Sequence, residues 1–317
     1  MTHKPKTPIR IGVWFDARHL AYGGPTAVLL GTILGFHQHA AETGRPVIIL
    51  LNERGDLNWV MDRTEDLAHT LQQVPDAVVG PLVFSKEDAE LDKPDDHAAW
   101  THGRRLIVAS DWFRWWICRG LPFDTPDRNP DRKTLRVWEA GVDTDRFRPH
   151  KLQLTHPIET SKSQDYFIYF KSQNYEQLAA VQSYLFHHYF GFRGTVLTYY
   201  NYDADMLREA AASSRFCIVI DNPETQGLAF LEIMSCDCPL FVLDATHYQG
   251  TKLAMGGATS VTCWDPTRCG KKSSREKLEA DFPAFLAALP TYRPREFVVE
   301  RHSYKASANT LRGLLEM

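Results

Sequence analysis

The sequence predicts an α/β protein built from two Rossmann-like domains. Near its start, an apolar run at Ile9–Phe15 is followed by a glycine turn, Gly23-Gly24, and then by an apolar, helix-patterned segment at residues 26–36. Strand, glycine turn and helix in this order are typical of the start of a Rossmann-like fold. The same alternation begins again at residues 166–170, and a chain of 317 residues is long enough for two such domains.

The composition argues against several classes of protein. The chain has 36 basic and 39 acidic residues and a formal net charge of −3, which gives no electrostatic basis for binding nucleic acid. No run approaches the roughly 18 apolar residues of a transmembrane helix, and the N-terminus lacks the apolar segment of a secretory signal. The six cysteines follow no convincing disulfide or zinc spacing. We therefore expect a reduced, cytoplasmic protein without a transmembrane segment.

The N-terminal half shows a regular series of buried strands. After the strand at Ile9–Phe15, further strands are predicted at residues 46–51, 77–84, 105–109 and 134–138. The glycine turn is not of the G-x-G-x-x-G form, and no acidic residue follows at a convincing distance for binding a ribose. A dinucleotide-dependent dehydrogenase is therefore a poor fit.

A linker separates this half from a second domain. Residues 150–164 have no clear period and contain Pro157 among Thr, Ser and His residues. The predicted domains are residues 1–150 and 165–300, with a final helix within residues 301–317. Residues 260–263 are predicted as a short strand, and the basic segment 268–277 as a mobile surface loop.

The main candidate site lies in residues 221–243, DNPETQGLAFLEIMSCDCPLFVL. Glu224 falls in a strand-to-helix loop, Gly227 follows it, and Glu232 lies eight residues after Glu224 inside the helix. A helix N-terminus presents N–H groups and a positive dipole end to phosphates. Carboxylates nearby can accept hydrogen bonds from sugar hydroxyls. This arrangement suits the binding of a sugar nucleotide.

Residues 224–240, ETQGLAFLEIMSCDCPL, resemble the E-x7-E signature of retaining GT-B glycosyltransferases, the group that includes glycogen synthase and glycosyltransferase family 4. The carboxylate spacing agrees, and so do Gly227, Met234, Cys236 and Pro239. Asp237 replaces the usual Gly of this signature, and Gln226 replaces the usual aromatic residue.

A second segment extends the resemblance into the N-terminal half. Residues 139–149, EAGVDTDRFRP, resemble the N-G-V-D-x-x-x-F-x-P stretch that closes the N-terminal domain of family 4 enzymes. Ala140 stands where those enzymes usually have Asn. Its expected role is a turn that leads into the linker.

The resemblance implies the GT-B architecture, in which two Rossmann-like domains face a central cleft. The N-terminal domain would lie on the acceptor side, the C-terminal domain would bind the nucleotide sugar, and the last helix would cross back to the N-terminal domain. The implied reaction moves a sugar from a nucleotide-diphosphate donor to a glycan or other hydroxyl acceptor, with retention of configuration. The donor is a co-substrate, and no cofactor and no metal are expected.

The resemblance also implies roles for individual residues. Glu224 and Lys171 are the catalytic candidates: Glu224 would meet hydroxyls of the transferred sugar, and Lys171 would bind the donor diphosphate. Glu232 would bind the donor ribose. The remaining donor-binding candidates are Thr225, Gln226, Gly227, Gly23 and Gly24.

The phosphate site departs from the pattern of the family. Lys171 follows a predicted strand where relatives carry an Arg, and relatives carry a second cation, a Lys, a few residues later. Here Asn174, Glu176 and Gln177 occupy that region. Either one cation serves where relatives use two, or another basic residue folds into the site.

Three other functions stay open on the sequence. One is a GT-B-fold epimerase acting on a nucleotide sugar, and another is a non-catalytic GT-B-like protein that binds a nucleotide sugar or glycan. The third is a metal-dependent GT-A glycosyltransferase that uses Asp203 and Asp205. These two residues lie at the start of a predicted helix, where Asp is favourable as a cap and complements the helix dipole. A capping role is therefore the preferred interpretation.

Overall fold

The computed structural model describes residues 9–15, 41–42, 44, 47–53, 77–79, 105–113, 135–150, 162–246 and 258–316. The predicted glycine turn at Gly23-Gly24 and the helix predicted after it lie outside these residues. Among the helices described, none is long and apolar enough to cross a membrane.

The chain forms two compact units, residues 1–141 with 304–317, and residues 142–303. The first unit contains a parallel sheet in the order β2-β1-β3-β4-β5. Its strands are β1 (Ile9–Phe15), β2 (Val47–Glu53), β3 (Ala77–Val79), β4 (Arg105–Val108) and β5 (Leu135–Val137). The helix α6 (Tyr304–Glu316) groups with this unit.

The second unit contains a parallel sheet in the order β10-β9-β8-β6-β7. Its strands are β6 (Gln164–Phe170), β7 (Gly194–Thr198), β8 (Ser214–Ile220), β9 (Leu240–Leu243) and β10 (Gly270–Ser273). Its helices are α1 (Tyr175–His188), α2 (Ala204–Ser213), α3 (Leu228–Ser235), α4 (Leu278–Ala288) and α5 (Pro294–His302). Counted along the chain, the strands of each sheet follow the same order, 2-1-3-4-5. The predicted α/β class with two Rossmann-like domains is confirmed.

The second unit begins at residue 142, whereas the predicted domain boundary was residue 150. The physical reason is the side chain of Arg295, whose Nη1 donates to the carbonyl oxygens of Ser235 at 2.6 Å, Phe147 at 3.1 Å and Thr144 at 3.3 Å. Ser235 Oγ also donates to the Phe147 carbonyl at 2.6 Å. The segment 142–150 is thus tied to the end of α3, a contact that the local sequence does not reveal.

An aromatic cluster fills the space between the second sheet and helices α1 and α4. Phe282 on α4 is fully buried and has its ring 5.1–5.9 Å from the rings of four other residues, namely Tyr184, Tyr189, Phe216 and Phe241. Edge-to-face contacts of this kind stabilise a core beyond the burial of apolar area. Phe282 therefore ties both helices to the face of the sheet.

The segment predicted as a mobile loop at residues 268–277 contains the edge strand β10, so that prediction was wrong. The two lysines of β10 are neutralised from outside the strand, because Lys271 Nζ lies 3.2 Å from Asp281 Oδ1 and Lys272 Nζ lies 3.9 Å from Asp244 Oδ2. Gly270 has φ +135° and packs directly on the backbone of Leu240, where a Cβ would lie 2.0 Å from the carbonyl oxygen. Residues 260–263, predicted as a strand, form no strand.

We expect Phe282→Ala to lower the free energy of unfolding by about 3–5 kcal/mol, because it removes a fully buried ring from the centre of the cluster. Phe190→Ala is the matched control, since Phe190 is 78% exposed and should change stability by less than about 0.5 kcal/mol. Urea unfolding followed by circular dichroism measures both. Equal effects of the two substitutions would contradict this account of the core.

Candidate active site

The candidate site lies at the carboxyl ends of the two central strands of the second sheet. Strand β6 is flanked by β7 on one side and β8 on the other, so the chain changes winding direction between β6 and β8. In open α/β sheets, ligands bind in the crevice beyond the strand ends at such a switch point. Lys171 follows β6 and Asp221 follows β8, so both predicted segments of the site begin here.

Four residues form a row along this edge of the sheet, which we call the C-terminal row: Tyr199, Lys171, Asp221 and Asp244. Each of the four comes directly after the last residue of its strand. These last residues are paired across the sheet, Thr198 with Phe170, Phe170 with Ile220, and Ile220 with Leu243. The alignment continues past the strands, because Lys171 N donates to Ile220 O at 3.1 Å and Tyr199 N to Phe170 O at 2.9 Å. Neighbouring strands are about 4.8 Å apart, so successive members of the row are close neighbours.

Lys171 and Glu224, the two catalytic candidates, are in direct contact. The ammonium of Lys171 donates to Glu224 Oε1 in an ion pair. The same ammonium lies 4.8 Å from the centre of the Tyr199 ring, on which it makes a cation–π contact. Both charged side chains keep part of their surface in contact with solvent. The structure thus brings together a cation, a carboxylate and an aromatic ring at the edge of the sheet.

The loop that carries Glu224 is fixed by a second loop, residues 258–262. The N–H of Glu224 donates to the carbonyl of Thr259 at 3.1 Å, and Ser260 Oγ donates to the carbonyl of Asp221 at 3.0 Å. Asp244 holds this second loop by accepting from Thr259 Oγ1 at 2.6 Å and from Ser260 N at 2.8 Å. The position of Glu224 therefore depends on the neighbouring strand β9.

Lys272 is a further basic residue close to this loop. Its Nζ donates to Thr259 Oγ1 at 2.5 Å and to the carbonyl of Val261 at 2.6 Å, and it lies 5.2 Å from the centre of the Trp264 ring. Burial lowers the pKa of Lys272, and Asp244 opposes this shift. With these acceptors occupied, Lys272 braces the loop that supports Glu224.

Thr225 and Gln226 lie between Glu224 and the helix and are both buried. The carbonyl of Gln226 accepts a hydrogen bond from Thr262 Oγ1 at 2.7 Å. Its side-chain Nε2 is enclosed and has no hydrogen-bond partner within the described part of the chain. A buried amide donor without a partner is unfavourable, so a ligand oxygen at this position would be a favourable acceptor.

Gly227 makes the turn into helix α3. It has φ +70°, in the left-handed region, and a Cβ at this position would lie 2.6 Å from the ring of Phe230. No side chain among the described residues caps the helix that follows. Glycine is required here both for the backbone conformation and for the close approach of Phe230.

Glu232 lies in a different environment from that of Glu224. It is half-buried on α3, and its electrostatic neighbours are Arg146 and Asp143 on the segment 142–150. Enclosure by protein raises the pKa of Glu232 to about 8, Arg146 opposes the shift and Asp143 adds to it. At neutral pH the Glu232 carboxyl is therefore mainly a neutral acid, which can both donate and accept a hydrogen bond.

Asp221 was part of the predicted stretch but had no assigned role. Its side chain is 3% exposed, its Oδ1 accepts from Asn222 N at 2.7 Å, and its Oδ2 has no hydrogen-bond partner among the residues described. Burial raises the pKa of Asp221 to about 6, while Lys171 and the Asn222 N–H oppose the shift. A polar residue directly after a predicted central strand was the signal that could have identified it.

The pair Asp203 and Asp205 has the structural role that the sequence favoured. Asp203 is the N-cap of α2, and its Oδ1 accepts from Met206 N at 2.8 Å. Asp205 Oδ1 lies 3.4 Å from Arg146 Nη2 and 3.5 Å from Arg208 Nε. Both carboxylates are thus engaged by the protein itself.

The predicted site residues fall into three groups. Lys171, Glu224, Thr225, Gln226 and Gly227 lie at the switch point. Glu232 lies on the helix that follows and has its own charged neighbours. The predictions for Gly23 and Gly24 lie outside the described residues.

Comparison with known proteins gives structural matches only. No protein-family model matches the chain, and no curated protein matches it significantly. Similar solved structures include sucrose-phosphate synthase from Thermosynechococcus elongatus, with 14% identity over 97% of this chain and 98% of that chain and a TM-score of 0.56. The lipopolysaccharide outer core galactosyltransferase WaaB has 11% identity over 97% and 99% of the two chains and a TM-score of 0.55.

A third similar structure is the N-terminal domain of Candida albicans trehalose-6-phosphate phosphatase, with 10% identity over 97% of this chain and 96% of that chain and a TM-score of 0.51. These matches extend over nearly the whole chain, and together with the two parallel sheets they show an α/β GT-B fold. At such low identities they establish the fold alone, and a shared fold does not decide a reaction.

We expect Gly227→Ala to destabilise the protein by at least about 1–2 kcal/mol, the cost of placing an L-residue in the left-handed region. Gly313→Ala is the control, because Gly313 lies in α6 with open space around the added methyl group. That change should stabilise the helix by about 0.5–1 kcal/mol. Thermal denaturation distinguishes the two, and a Gly227→Ala protein as stable as the wild type would show that the turn is not required.

The raised pKa of Glu232 predicts a pH-dependent stability. The folded protein holds a proton at Glu232 more tightly than the unfolded chain, so this contribution is fully present below about pH 4.5 and is lost as the pH rises through about 8. Glu232→Gln should therefore gain stability relative to wild type as the pH rises through this window. Unfolding at several pH values tests this, with exposed Glu279→Gln as control, and parallel curves for Glu232→Gln and wild type would contradict it.

Proposed function

We propose that this protein is a retaining glycosyltransferase that moves a sugar from a nucleotide-diphosphate donor to a glycan or other hydroxyl acceptor. The observation that carries the proposal is the contact between Lys171 and Glu224 at the switch point of the second sheet, directly before the glycine turn into α3. A cation, a sugar-binding carboxylate and a helix N-terminus at one strand edge suit a phosphorylated sugar. The resemblance of residues 224–240 to the E-x7-E signature adds support from the sequence.

Lys171 and the N-terminal N–H groups of α3 would bind the donor diphosphate. As the bond from the anomeric carbon to the phosphate oxygen breaks, negative charge builds up on the leaving diphosphate. A fixed cation and aligned N–H groups stabilise this charge more strongly in the transition state than in the ground state. The proposal assigns this role to protein groups and includes neither a cofactor nor a metal.

Glu224 would hold the transferred sugar. In the structure its carboxylate is paired with Lys171, so a donor phosphate on Lys171 would have to open this ion pair. The phosphate then takes the place of Glu224 on Lys171, and Glu224 can accept hydrogen bonds from sugar hydroxyls. Glu232 would hydrogen-bond the donor ribose, and as a neutral acid it can offer a donor as well as an acceptor.

The donor is tested by thermal stabilisation with UDP-, ADP- and GDP-sugars and the corresponding nucleoside diphosphates. A ligand at about 100 times its Kd stabilises the folded protein by about 2.7 kcal/mol. We expect Lys171→Ala to weaken binding about 10- to 100-fold, since a hydrogen bond to a charged group is worth about 1.5–3 kcal/mol. Exposed Lys305→Ala should bind like the wild type.

Glu224→Gln separates binding from catalysis. Removing its charge frees Lys171, so nucleoside diphosphates should bind equally well or more tightly. Turnover of the matching donor sugar should fall about 10²- to 10³-fold, the usual effect of removing one stabilising contact in a transition state. Glu232→Ala should weaken the binding of every nucleotide that stabilises the wild type.

The products decide between the open alternatives. Transfer of the sugar to an acceptor with the anomeric configuration kept supports the proposal. Release of free nucleotide with an altered sugar and no acceptor product would instead identify an epimerase. Binding without any turnover would identify a non-catalytic nucleotide-sugar-binding protein, and stabilisation by none of these compounds would refute all three.

A further inference from the structure

The C-terminal row places a buried acid directly beside the proposed phosphate-binding lysine. Phe170 and Ile220 are the last paired residues of β6 and β8, and Lys171 and Asp221 follow them on adjacent strands. In a parallel sheet, residues at the same register point to the same face, so the two side chains leave the strand ends on one side. Asp221 is 3% exposed, and its Oδ2 has no partner within the described part of the chain.

Several titratable groups surround Asp221. Lys171 on the adjacent strand is the nearby cation, and Tyr169 and Tyr199 also interact electrostatically with the Asp221 carboxylate. Glu224 shares Lys171 through its ion pair. Asp244 follows Leu243 on the other neighbouring strand, β9, and its Oδ2 lies 3.9 Å from Lys272 Nζ. Two lysines therefore face three carboxyl groups, and if all three carboxyl groups are ionised the cluster carries a net negative charge.

We propose that Asp221 is a donor-binding residue that sets the charge of the donor-phosphate site, and that it binds the donor as a neutral carboxylic acid, so that donor binding takes up one proton. This inference rests on the proposed function, because it assigns the phosphate position to Lys171. Asp221 lies in the predicted stretch 221–243, but the resemblance to family 4 gives it no role, and its protonation couples donor affinity to pH.

The physical reason is the repulsion between two anions that share one cation. A diphosphate on Lys171 brings negative charge next to Asp221, in a place where little water can screen it. Ionised Asp221 would then oppose binding, whereas the neutral acid removes the repulsion and offers an O–H donor to a phosphate oxygen. The pKa of Asp221, raised to about 6 by burial, means that protonation near neutral pH costs little.

The direction of the pH effect follows from the protonation of Asp221 in the donor complex and in the free protein. The donor complex holds the proton more tightly than the free protein, so the pKa of Asp221 is higher in the complex. Donor affinity is then constant below the free pKa of about 6 and falls as the pH rises above it. The Kd increases by up to about tenfold per pH unit until the pKa of the complex is passed.

The test is isothermal titration calorimetry of the full chain with UDP-glucose, ADP-glucose and GDP-mannose. The sugar ester removes the second phosphate ionisation, which for a phosphate monoester lies near pH 6, so the probe itself does not titrate in the range studied. Measuring the heat at about pH 7 in two buffers of different ionisation enthalpy gives the number of protons taken up. This measurement on the unmutated chain requires no variant to fold.

Asp221→Asn identifies the group that takes up the proton. We expect it to abolish proton uptake and to make Kd independent of pH between about pH 6 and 7, a range in which Glu232, with a pKa of about 8, stays mainly protonated. At about pH 7 it should bind more tightly than the wild type. Asp165→Asn is the matched control, because Asp165 lies at the opposite end of β6 and pairs with Arg215 at 3.2 Å. It should keep the proton uptake and pH dependence of the wild type.

The outcomes separate this inference from the proposed function. Binding without proton uptake, or uptake that persists in folded Asp221→Asn, would overturn the role of Asp221 and leave the glycosyltransferase proposal intact. Failure of every probe to bind the wild type would overturn the proposed function and this inference with it. Uptake that is lost in Asp221→Asn and kept in Asp165→Asn supports both.

Discussion

The candidate site depends on the parallel pairing of β6 with β8. This pairing places Lys171 beside Asp221 and brings the loop that follows β8 over the end of β6, where Glu224 meets Lys171. Because β6 and β8 are largely buried and their register is fixed by several residue pairs, the strand ends that carry Lys171 and Asp221 keep their relative position. The side chains beyond them can still exchange partners. The paired strands fix where Lys171 and Asp221 begin, and the loop after β8 carries Glu224 to them.

Charge balance is the second constraint. The sequence left open whether one cation serves at the phosphate position or another basic residue folds into it, and the described switch point shows Lys171 beside Glu224 and Asp221. The other nearby lysine, Lys272, donates to Thr259 and Val261 and so supports the loop beside Glu224. If Asp221 binds the donor as a neutral acid, its protonation compensates for the missing second cation, since neutralising a carboxylate removes one negative charge that a cation would otherwise balance.

The substitution of Asp237 for the usual glycine has a local structural explanation. Asp237 has φ 57° just beyond the end of α3, a left-handed conformation that Asp tolerates better than most residues with a side chain. Its carbonyl accepts from Lys162 Nζ at 3.0 Å. This departure from the family signature therefore concerns how the helix ends, at the opposite end from the turn at Gly227.

The sequence by itself determined the fold class and most elements of the second unit, because apolar periodicity, caps and glycine turns act over a few residues. It also placed Glu224, Gly227 and Lys171 at strand ends, where parallel sheets bind ligands. Only the tertiary structure decided that β10 is a strand, that Asp221 lies beside Lys171, and that Glu232 is held by its surroundings as a neutral acid at neutral pH. These features arise from residues far apart in the chain, and strand order, burial and neighbouring charge exist only after the chain has folded.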